Sequence, residues 1–553
     1  MRPDPTDWPT RLSDAMIAGF VASGAWRNRT IADRLDELVA KHPEQRLVID
    51  DRGAYTAAAL QDDALRLAGA LAARGLRPGA VLSFQLPNWH EAVVIELACA
   101  YGGFVCNPIV PIYRSAEVGF IVEDAGTRVL FVPETFRNFD HRTMAEGLTA
   151  KVPGLEVIVV RPALKSESSF EALVAAAETR PAWPRPDPNH VKLLMYTSGT
   201  TSIPKGVLHT HNTIAAEIDN VIEWLELSAA DVILMPSPLG HITGYLYGIE
   251  LPVTLGCPVI LMESWNPEQA AALIDANGVT LTIGATPFLR ELACLAADRG
   301  SPLPSLRYFP TGGAPVPPDV ILQADRAFAR CVSFRIYGST EAPTVTWGCV
   351  EPAQQALRAT TEGFVLGHEM RLVDRAGVAL APGREGEITT RGPELFVGYK
   401  RAEHNEAAFD AEGYFRTGDL GIETPEGCLV VTGRQKDIII RGGENISPKE
   451  IEDLICTHPD VVDAAVVAMP HPRLGETGCA FVLLRAGGRF DFEIMRGLLE
   501  KGGLARQKFP ERLEVVDRLP YTAAGKVQKN LLRDVIGRRA AAEQGARASP
   551  PVA

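Results

Sequence analysis

One segment, residues 196–206, combines hydroxyls, glycines and a lysine directly after an apolar run: Tyr-Thr-Ser-Gly-Thr-Thr-Ser-Ile-Pro-Lys-Gly. Small residues allow backbone N–H groups to approach an anion closely, the hydroxyls add donors, and Lys205 adds positive charge. The spacing differs from a Walker loop, because no Gly-Lys-Ser/Thr follows four residues after a first glycine. A Ser/Thr/Gly-rich run alone is more often a surface loop. The segment predicts a phosphate-binding loop if partner motifs lie elsewhere.

Further motifs follow in a fixed order. They are Gly-Gly-Ala-Pro at 312–315 with Tyr-Gly-Ser-Thr-Glu at 337–341, Tyr-Phe-Arg-Thr-Gly-Asp at 414–419, Gly-Arg-Gln-Lys-Asp at 433–437, and Gly525-Lys526. With these motifs the chain resembles the adenylate-forming superfamily of acyl-CoA synthetases, peptide synthetase adenylation domains and luciferases. The resemblance covers nearly the whole chain and is closest to synthetases of the cyclohexanecarboxylate-CoA ligase type. One departure is Ser202, where the family usually has glycine; serine would stiffen the loop or narrow it, although it adds a donor.

The resemblance implies a reaction in two steps, in which ATP and Mg²⁺ convert a carboxylic acid to an acyl-adenylate and CoA then takes the acyl group. The first step brings an anionic nucleophile to an anionic phosphate, so the site must neutralise charge. By the resemblance, Lys526 bridges the carboxylate and the α-phosphate, Thr340 contacts the α-phosphate, and Glu341 binds the metal, which prefers oxygen ligands. These three are the expected catalytic residues.

The resemblance also implies a nucleotide-binding set. Its members are Thr197, Ser198, Gly199, Thr200, Thr201, Lys205, Gly313, Ala314, Pro315, Tyr337, Gly338, Asp419 and Arg434. The loop that ends at Lys205 would wrap the β- and γ-phosphates. Tyr337 would offer an aromatic face to the adenine, Asp419 would accept hydrogen bonds from both ribose hydroxyls, and Arg434 would add a second contact.

Lys436 matches the position at which this family hinges, so the C-terminal domain is expected to swing between an adenylating and a thioester-forming pose. In the second pose Lys526 would leave, and Arg441, Gly442 and Gly443 would form a narrow passage for the pantetheine arm of CoA. Lys508 is either a contact for the CoA phosphates or an ordinary solvent-facing charge.

The acyl slot is expected to be mostly apolar. Its candidate residues are His241, Gly244, Tyr245, Gly284 and Gly312. Such a slot favours a medium-chain, alicyclic or aromatic acid over an amino acid, whose ammonium usually needs an acidic partner. A stand-alone adenylation enzyme that loads a carrier protein shares every one of these residues and stays an alternative. A nucleotide-binding regulator without catalysis is ranked last, because the catalytic positions are intact.

Composition limits the partners. Nucleic acid and anionic membranes are disfavoured by the net charge of −13, and the small molecules named above remain the expected partners. Nine cysteines without a Cys-x-x-Cys pattern, an N-terminus unlike a signal peptide, and no apolar run of about 20 residues predict a cytoplasmic protein without a membrane span. A homodimer is left open. His209 and His211 form a weak metal pair, and a strand-to-helix junction is the preferred interpretation.

The sequence predicts an α/β fold. Helices at 62–74 and 91–101 alternate with apolar strands at 81–86, 129–132 and 157–160, which indicates layered parallel α/β subdomains.

Two changes in pattern divide the remaining chain. Short strands and glycines around Glu385 indicate a small β subdomain, and Ser447 followed by Pro448 predicts a helix with a capping serine. A chain of 553 residues exceeds one compact core. The predicted units are a large N-terminal domain (1–435), a smaller mobile α+β C-terminal domain (436–535) and a disordered tail (536–553).

Overall fold

Three large β-sheets, one small two-stranded sheet and the helices that cover them form the described part of the molecule. The computed structural model describes residues 4–164, 166, 169–177, 181, 183–197, 204–314, 316–442, 444–522 and 526–548. The fold is mixed α/β with a large N-terminal and a smaller C-terminal domain, as the sequence predicts.

The helices cover the faces of the sheets and connect many of their strands. In chain order they are α1 (Asp14–Ala22), α2 (Ile31–Lys41), α3 (Ala57–Ala73), α4 (His90–Gly102), α5 (Ser115–Ala125), α6 (His141–Thr149), α7 (Phe170–Ala176), α8 (His211–Trp224), α9 (Ile242–Tyr245), α10 (Leu251–Leu255), α11 (Pro267–Asn277), α12 (Thr286–Arg299), α13 (Pro318–Ala327), α14 (Gln355–Thr360), α15 (Pro448–Ile455), α16 (Phe492–Lys501) and α17 (Lys529–Ala548). A π-helical turn (Leu246–Glu250) joins α9 to α10, and short 3₁₀ turns lie at Pro352–Gln354, Ala402–His404 and Arg506–Lys508.

The strands are mostly short. In chain order they are β1 (Arg46–Asp50), β2 (Gly53–Thr56), β3 (Val81–Phe84), β4 (Val105–Pro108), β5 (Thr127–Pro133), β6 (Thr135–Phe136), β7 (Phe139–Asp140), β8 (Glu156–Val160), β9 (Val191–Thr197), β10 (Lys205–Thr210), β11 (Ile233–Met235), β12 (Val259–Leu261), β13 (Leu281–Thr282), β14 (Tyr308–Gly312), β15 (Val332–Tyr337), β16 (Thr346–Trp347), β17 (Gly363–Val365), β18 (Glu369–Val373), β19 (Gly386–Arg391), β20 (Gly398–Tyr399), β21 (Phe415–Glu423), β22 (Cys428–Arg434), β23 (Ile439–Arg441), β24 (Glu444–Ile446), β25 (Val461–His471), β26 (Gly475–Leu484) and β27 (Arg512–Val516).

The first sheet changes from parallel to antiparallel along its width. Its order is β18-β19-β21-β22-β17-β16-β15-β14-β13-β11-β12-β1-β2. Strands β1, β12, β11, β13, β14 and β15 pair in parallel, and pairing is antiparallel from β15 to β18. The β region predicted around Glu385 is therefore the antiparallel end of this sheet, hydrogen-bonded to it through β17.

The second sheet leads to the predicted phosphate loop. Its order is β20-β10-β9-β4-β3-β5-β8, with parallel pairing from β9 to β8 and antiparallel pairing between β9 and β10. Helix α4 is buried along its whole length, because its residues share one apolar core with strands of both sheets. The predicted alternation of helices and parallel strands in this region is confirmed.

A buried ion-pair cluster ties the second sheet to the π-helical turn. Lys192 Nζ on β9 lies 2.7 Å from Glu96 Oε1 of α4 and 2.5 Å from Glu250 Oε1 of the turn. All three side chains are almost fully buried. The cluster anchors the strand that enters the phosphate loop, since breaking a buried pair leaves an uncompensated charge.

The third sheet builds the C-terminal domain. Its order is β24-β23-β26-β25, with β27 parallel to β26. The chain leaves the first sheet at Arg434 and enters this one at Ile439, so the predicted boundary at 435/436 lies in the connecting turn. Helix α15 begins as predicted at Pro448, but Ser447 does not cap it: its hydroxyl donates to the Thr432 carbonyl. The prediction of a capping serine is wrong: Ser447 stands at the N-cap position, but its side chain accepts no amide of the first turn.

The predicted disordered tail is also wrong in its first part. Helix α17 continues to Ala548, and Ile536 is fully buried in a cluster with Val467, Phe481 and Leu532. An Ala- and Arg-rich composition suits a helix as well as a tail. The buried isoleucine settles the difference, since it closes one face of the third sheet.

The structure also bears on the cysteines and on membrane-spanning helices. The nine cysteines, all within the described residues, are unpaired thiols, and most are buried. Among the described helices, none combines the length and apolar character that crossing a membrane requires.

Ile536→Ala should destabilise the C-terminal domain by about 2–5 kcal/mol, the usual cost of truncating a buried isoleucine. Hydrogen exchange of the β25 and β26 amides measures this local stability. Leu531→Ala on the same helix is the matched control, because Leu531 is 42% exposed. Equal protection in both variants would contradict an ordered helix at this position.

Candidate active site

The strands on either side of the phosphate loop bring Lys205 to an aromatic ring and an acid. Thr197 and Lys205 are paired across β9 and β10. Lys205 Nζ lies 4.8 Å from the ring centroid of Tyr399, a cation–π distance. The Tyr399 hydroxyl donates to Glu341 Oε1 at 2.8 Å. Tyr399, which no sequence motif marked, therefore links the loop lysine to the predicted metal-binding acid.

Residues 337–341 follow β15 and are held by backbone contacts. A Cβ on Gly338 would lie 1.9 Å from the Pro343 carbonyl oxygen, so only glycine fits there. The neutral ring of His209 donates from Nε2 to the Thr340 carbonyl at 2.7 Å. Burial lowers the pKa of His209 to about 4. The Phe396 amide donates to the Glu341 carbonyl at 2.8 Å. These contacts leave the Thr340 and Glu341 side chains in a fixed frame.

Both ring nitrogens of His209 have protein partners, Thr213 Oγ1 at Nδ1 and the Thr340 carbonyl at Nε2. The junction between β10 and α8 lies between His209 and His211, as the preferred interpretation predicted. The role of His209 is the hydrogen bond to the Thr340 carbonyl described above.

A carboxylate network joins β15 to the antiparallel end of the first sheet. The Tyr337 hydroxyl donates to Asp419 Oδ2 at 2.8 Å, and Arg434 Nε lies 2.8 Å from Asp419 Oδ1. Asp419 and Arg434 face each other across β21 and β22, and Asp419 is only 6% exposed. Burial and the nearby carboxylate hold the pKa of Tyr337 well above its ordinary value, so its hydroxyl stays a donor. The network fixes a polar acceptor at the edge of the cleft.

Lys526 reaches this cleft from a tight loop of the C-terminal domain. Tyr521 and Val527 bridge the ends of the loop, the Thr522 amide donates to the Lys526 carbonyl at 2.7 Å, and the Lys526 amide donates to Thr522 Oγ1 at 3.1 Å. Gly313 has φ +78°, and a Cβ placed on it would lie 3.8 Å from Lys526 Cε. The lysine stem thus passes over the backbone of Gly313.

The Lys526 ammonium interacts electrostatically with three of the predicted site residues, Arg434, Asp419 and Glu341. Burial, then Arg434, lowers its pKa to about 8, whereas Asp419 and Glu341 act in the opposite direction. Burial, and to a smaller extent Lys526 itself, lowers the pKa of His241 to about 4. The five side chains therefore belong to one site, with a neutral histidine beside the amine.

The acyl-slot candidates differ in what their side chains do. His241 caps α9, accepting the Thr243 amide at Nδ1 (3.3 Å), and lies near Lys526 as described. Gly284 is buried, and a Cβ there would meet Phe288 at 2.8 Å. Tyr245 is fully buried, with its ring centroid 5.6 Å from Lys192 Nζ. Its place in an acyl slot stays a prediction.

Two further candidates, Gly244 and Gly312, are glycines that the close packing of the backbone requires. A Cβ on Gly244 would lie 2.0 Å from the Pro238 carbonyl oxygen, and one on Gly312 would lie 2.4 Å from the Ile336 carbonyl oxygen. Their small size therefore lets neighbouring backbone segments pack. Their place in the acyl slot stays a prediction.

The predicted hinge and CoA residues lie in and beyond the turn that connects the domains. Burial, then the charges of Lys205 and Arg434, lower the pKa of Lys436. Arg441 Nη2 lies 2.6 Å from Glu511 Oε1, and Gly442 has φ +59°. Lys508 Nζ lies 2.6 Å from Glu450 Oε2. In this pose Arg441 and Lys508 thus pair with acids of their own domain.

Several predicted residues fall outside the described part of the chain. They are Ser198, Gly199, Thr200, Thr201, Pro315 and Gly443. Ala314 is described and is partly buried beside Gly313.

A second cluster of acids lies elsewhere in the large domain. Asp50, His90 and Glu91 converge closely enough to hold a metal. Arg161 already provides the positive charge, with Nη2 2.6 Å from Asp50 and Nε 2.7 Å from Glu91. The cluster is a structural ion-pair network.

Comparisons with known proteins agree with this geometry. A family model described as "AMP-binding enzyme" matches residues 35–400, and one described as "AMP-binding enzyme C-terminal domain" matches residues 450–526. The medium-chain fatty-acid–CoA ligase of Escherichia coli (strain K12) is 35% identical over 531 residues, covering 94% of this chain and 93% of the relative. The 2,3-dihydroxybenzoate-AMP ligase of Bacillus subtilis (strain 168) is 30% identical over 542 residues, covering 97% and 98%. ATP-bound MatB from Rhodopseudomonas palustris has a TM-score of 0.82 at 28% identity, covering 92% of this chain and 99% of that structure.

The rate of pyrophosphate release should depend on the charge of Lys526. The ammonium is intact below its pKa of about 8 and is lost as the pH rises through that value. We expect kcat/KM for ATP, which reports groups of the free enzyme, to fall above pH 8 rather than near the ordinary lysine pKa of about 10.4. Lys526→Arg keeps its charge, so its residual activity should lack this inflection. An unchanged inflection in that variant would assign it to another group.

Proposed function

The chain belongs to the AMP-binding enzyme family, and from this premise we propose that it is an ATP-dependent carboxylic acid:CoA ligase that forms an acyl-adenylate and then an acyl-CoA. The observation that supports the proposal is the Lys526 stem over the Gly313 backbone, where its ammonium interacts electrostatically with Asp419, Arg434 and Glu341. Acid adenylation with ATP is the activity of the family to which it belongs. The class of acid and the thiol acceptor are part of the proposal.

Charge neutralisation is the task of Lys526 in the first step. The acid's carboxylate attacks the α-phosphate of ATP, a new C–O–P link forms, and pyrophosphate leaves. The ammonium offsets the repulsion between the two anions, and it does so most strongly where charge develops in the transition state. His241, neutral at physiological pH, adds no competing charge beside it.

Asp419 is the proposed acceptor for the ribose hydroxyls. Tyr337 and Arg434 already hold both carboxylate oxygens in place, so the acceptor is oriented before the nucleotide arrives. Tyr337 is proposed to face the adenine, and the loop from Thr197 to Lys205 to enclose the β- and γ-phosphates. Gly313 and Ala314 would supply backbone close to the nucleotide.

Mg²⁺ fits the residues after β15. The Glu341 carboxylate supplies oxygen, the ligand type that this ion prefers, and the Thr340 hydroxyl beside it would contact the α-phosphate. Tyr399 orients the carboxylate by donating to one of its oxygens. When bound, the ion would neutralise phosphate charge.

The acceptor is proposed to be CoA. The E. coli relative, at 35% identity, is a CoA ligase by name. A swing about Lys436 would remove Lys526 and bring in Arg441, Gly442 and Gly443, with Lys508 as a further contact for CoA. A carrier protein is the alternative, because the B. subtilis relative is named an AMP ligase.

The substrate is proposed to be a medium-chain, alicyclic or aromatic acid. His241 beside Lys526 would form the gate of the slot, and the named relatives act on a medium-chain fatty acid and an aryl acid. The unpaired thiols support a reducing compartment, and the cytoplasm remains the proposed location.

Lys526→Ala should reduce pyrophosphate release from ATP and acid by about 10²-fold or more, as expected when a transition-state charge is lost. Thioester formation from supplied acyl-AMP and CoA should change little, because the proposed second pose does not use this lysine. Lys501→Ala is a control, since Lys501 lies on α16 within the same domain. Equal losses in both half-reactions would contradict the exchange of poses.

A panel of acids tests the substrate and the acceptor together. We expect pyrophosphate release with octanoate, cyclohexanecarboxylate or benzoate, and little with amino acids of similar size. With the best acid, free CoA should give a thioester in the absence of any carrier. Product that appears only with a phosphopantetheinylated carrier would replace the proposal with the alternative.

A further inference from the structure

A hydrogen bond joins helix α12 of the large domain to the C-terminal domain. Arg290, in the second turn of α12, donates from Nη1 to the Val462 carbonyl at 2.7 Å. The two residues are 172 positions apart. Helix α12 begins directly after Gly284 and Ala285, and Gly284 is one of the residues predicted to line the acyl slot. The contact therefore connects that part of the large domain with β25.

The next residue on β25 continues the contact toward the Lys526 loop. Asp463 accepts the Tyr521 hydroxyl at Oδ2 (2.8 Å) and the Ala464 amide at Oδ1 (2.8 Å). Tyr521 lies at the base of the loop, where it bridges to Val527. A continuous path of polar contacts and neighbouring residues thus runs from α12 to the base of that loop.

The charges along this path are matched. Burial raises the pKa of Asp463, whereas the Tyr521 hydroxyl, the Ala464 amide and the cations Arg290 and Lys529 act to lower it. Burial and the Asp463 carboxylate raise the pKa of Tyr521, so the phenol remains a donor. Arg290 thus offsets the negative charge of Asp463 while its own hydrogen bond goes to the neighbouring carbonyl.

We propose that Arg290, Asp463 and Tyr521 are positioning residues that dock the Lys526 loop into the cleft for adenylation. The proposal rests on the proposed function of Lys526. None of the three needs to touch the substrate. Arg290 holds the start of β25 against α12. Asp463, the next residue but one on β25 after Val461, accepts the Tyr521 hydroxyl and so fixes the base of the loop.

The hydrogen bond from Arg290 to the Val462 carbonyl is expected in the adenylating pose only, so its loss should affect only the first half-reaction. A swing of the C-terminal domain separates Val462 from Arg290, because they belong to different domains. The contact should therefore stabilise the adenylating pose and contribute nothing to the thioester-forming pose. Its loss should lower the first half-reaction on the order of 10-fold, the value of one hydrogen bond from a charged donor.

The experiment measures both half-reactions in the full-length enzyme. Arg290→Ala and Tyr521→Phe should each lower kcat for pyrophosphate release with ATP and octanoate or benzoate about 10-fold. Thioester formation from supplied acyl-AMP and CoA should be unchanged or faster. Arg290→Lys should recover part of the loss, because lysine keeps the charge and one donor. Arg299→Ala is the matched control: it lies on the same helix and pairs with Glu268 at 3.1 Å on the surface.

A double-variant cycle tests whether the path acts through Lys526. If it does, Arg290→Ala should have little further effect in a Lys526→Ala background, whereas independent effects would multiply. Multiplying effects, equal losses in both half-reactions, or wild-type adenylation by Arg290→Ala would each overturn the docking role. If one of those outcomes occurred while adenylation by Lys526→Ala was still impaired, the proposed function would stand. Wild-type adenylation by Lys526→Ala would overturn the proposed function itself, and the docking role with it.

Discussion

The proposed adenylation site depends on a positive charge that the C-terminal domain supplies to a cleft of the large domain. Lys526 belongs to the C-terminal domain, yet its stem lies over Gly313 and its ammonium is near Asp419, Arg434 and Glu341. The nearby cation of the large domain, Arg434, is already engaged by Asp419. Burial destabilises the ammonium, which is why its pKa falls, and anionic substrates would restore the balance. The chemistry is thereby tied to the position of a domain.

The large domain contributes a receptor whose polar groups are oriented in advance. His209 and Phe396 hold the backbone of Thr340 and Glu341, and Tyr399 holds the Glu341 carboxylate. Such preorganisation avoids the cost of reorientation when substrates bind. Under the proposed swing, the C-terminal domain contributes a loop that arrives and leaves. Side-chain hydrogen bonds cross between the domains from Arg290 to the Val462 carbonyl and from Ser447 to the Thr432 carbonyl. A rigid receptor and a separable donor together suit the two reactions proposed for this cleft.

Short-range sequence patterns predicted those helices and strands whose formation depends mainly on neighbouring residues. The alternation of helices and strands at β5, β8 and α4 follows from the apolar pattern, and the ordered motifs singled out Asp419, Arg434 and Lys526, which interact electrostatically in the structure. Tyr399 and Arg290 were missed, because their partners lie far away in sequence and no spacing rule marks them. Ser447 was misassigned for a related reason: a serine has several uses, and the tertiary neighbour decides among them. The helix at Ile536 required knowledge of the sheet that buries it.

The most direct test of the central claim is the reactivity of the Lys526 amine itself, measured by mass spectrometry after pulses of an amine-modifying reagent at a series of pH values. In the free enzyme the modification of Lys526 should titrate with a pKa of about 8. A non-hydrolysable acyl-adenylate analogue should protect it, because the amine would then be covered and paired with phosphate oxygen. Titration near the ordinary lysine value, together with no protection by the analogue, would contradict the account.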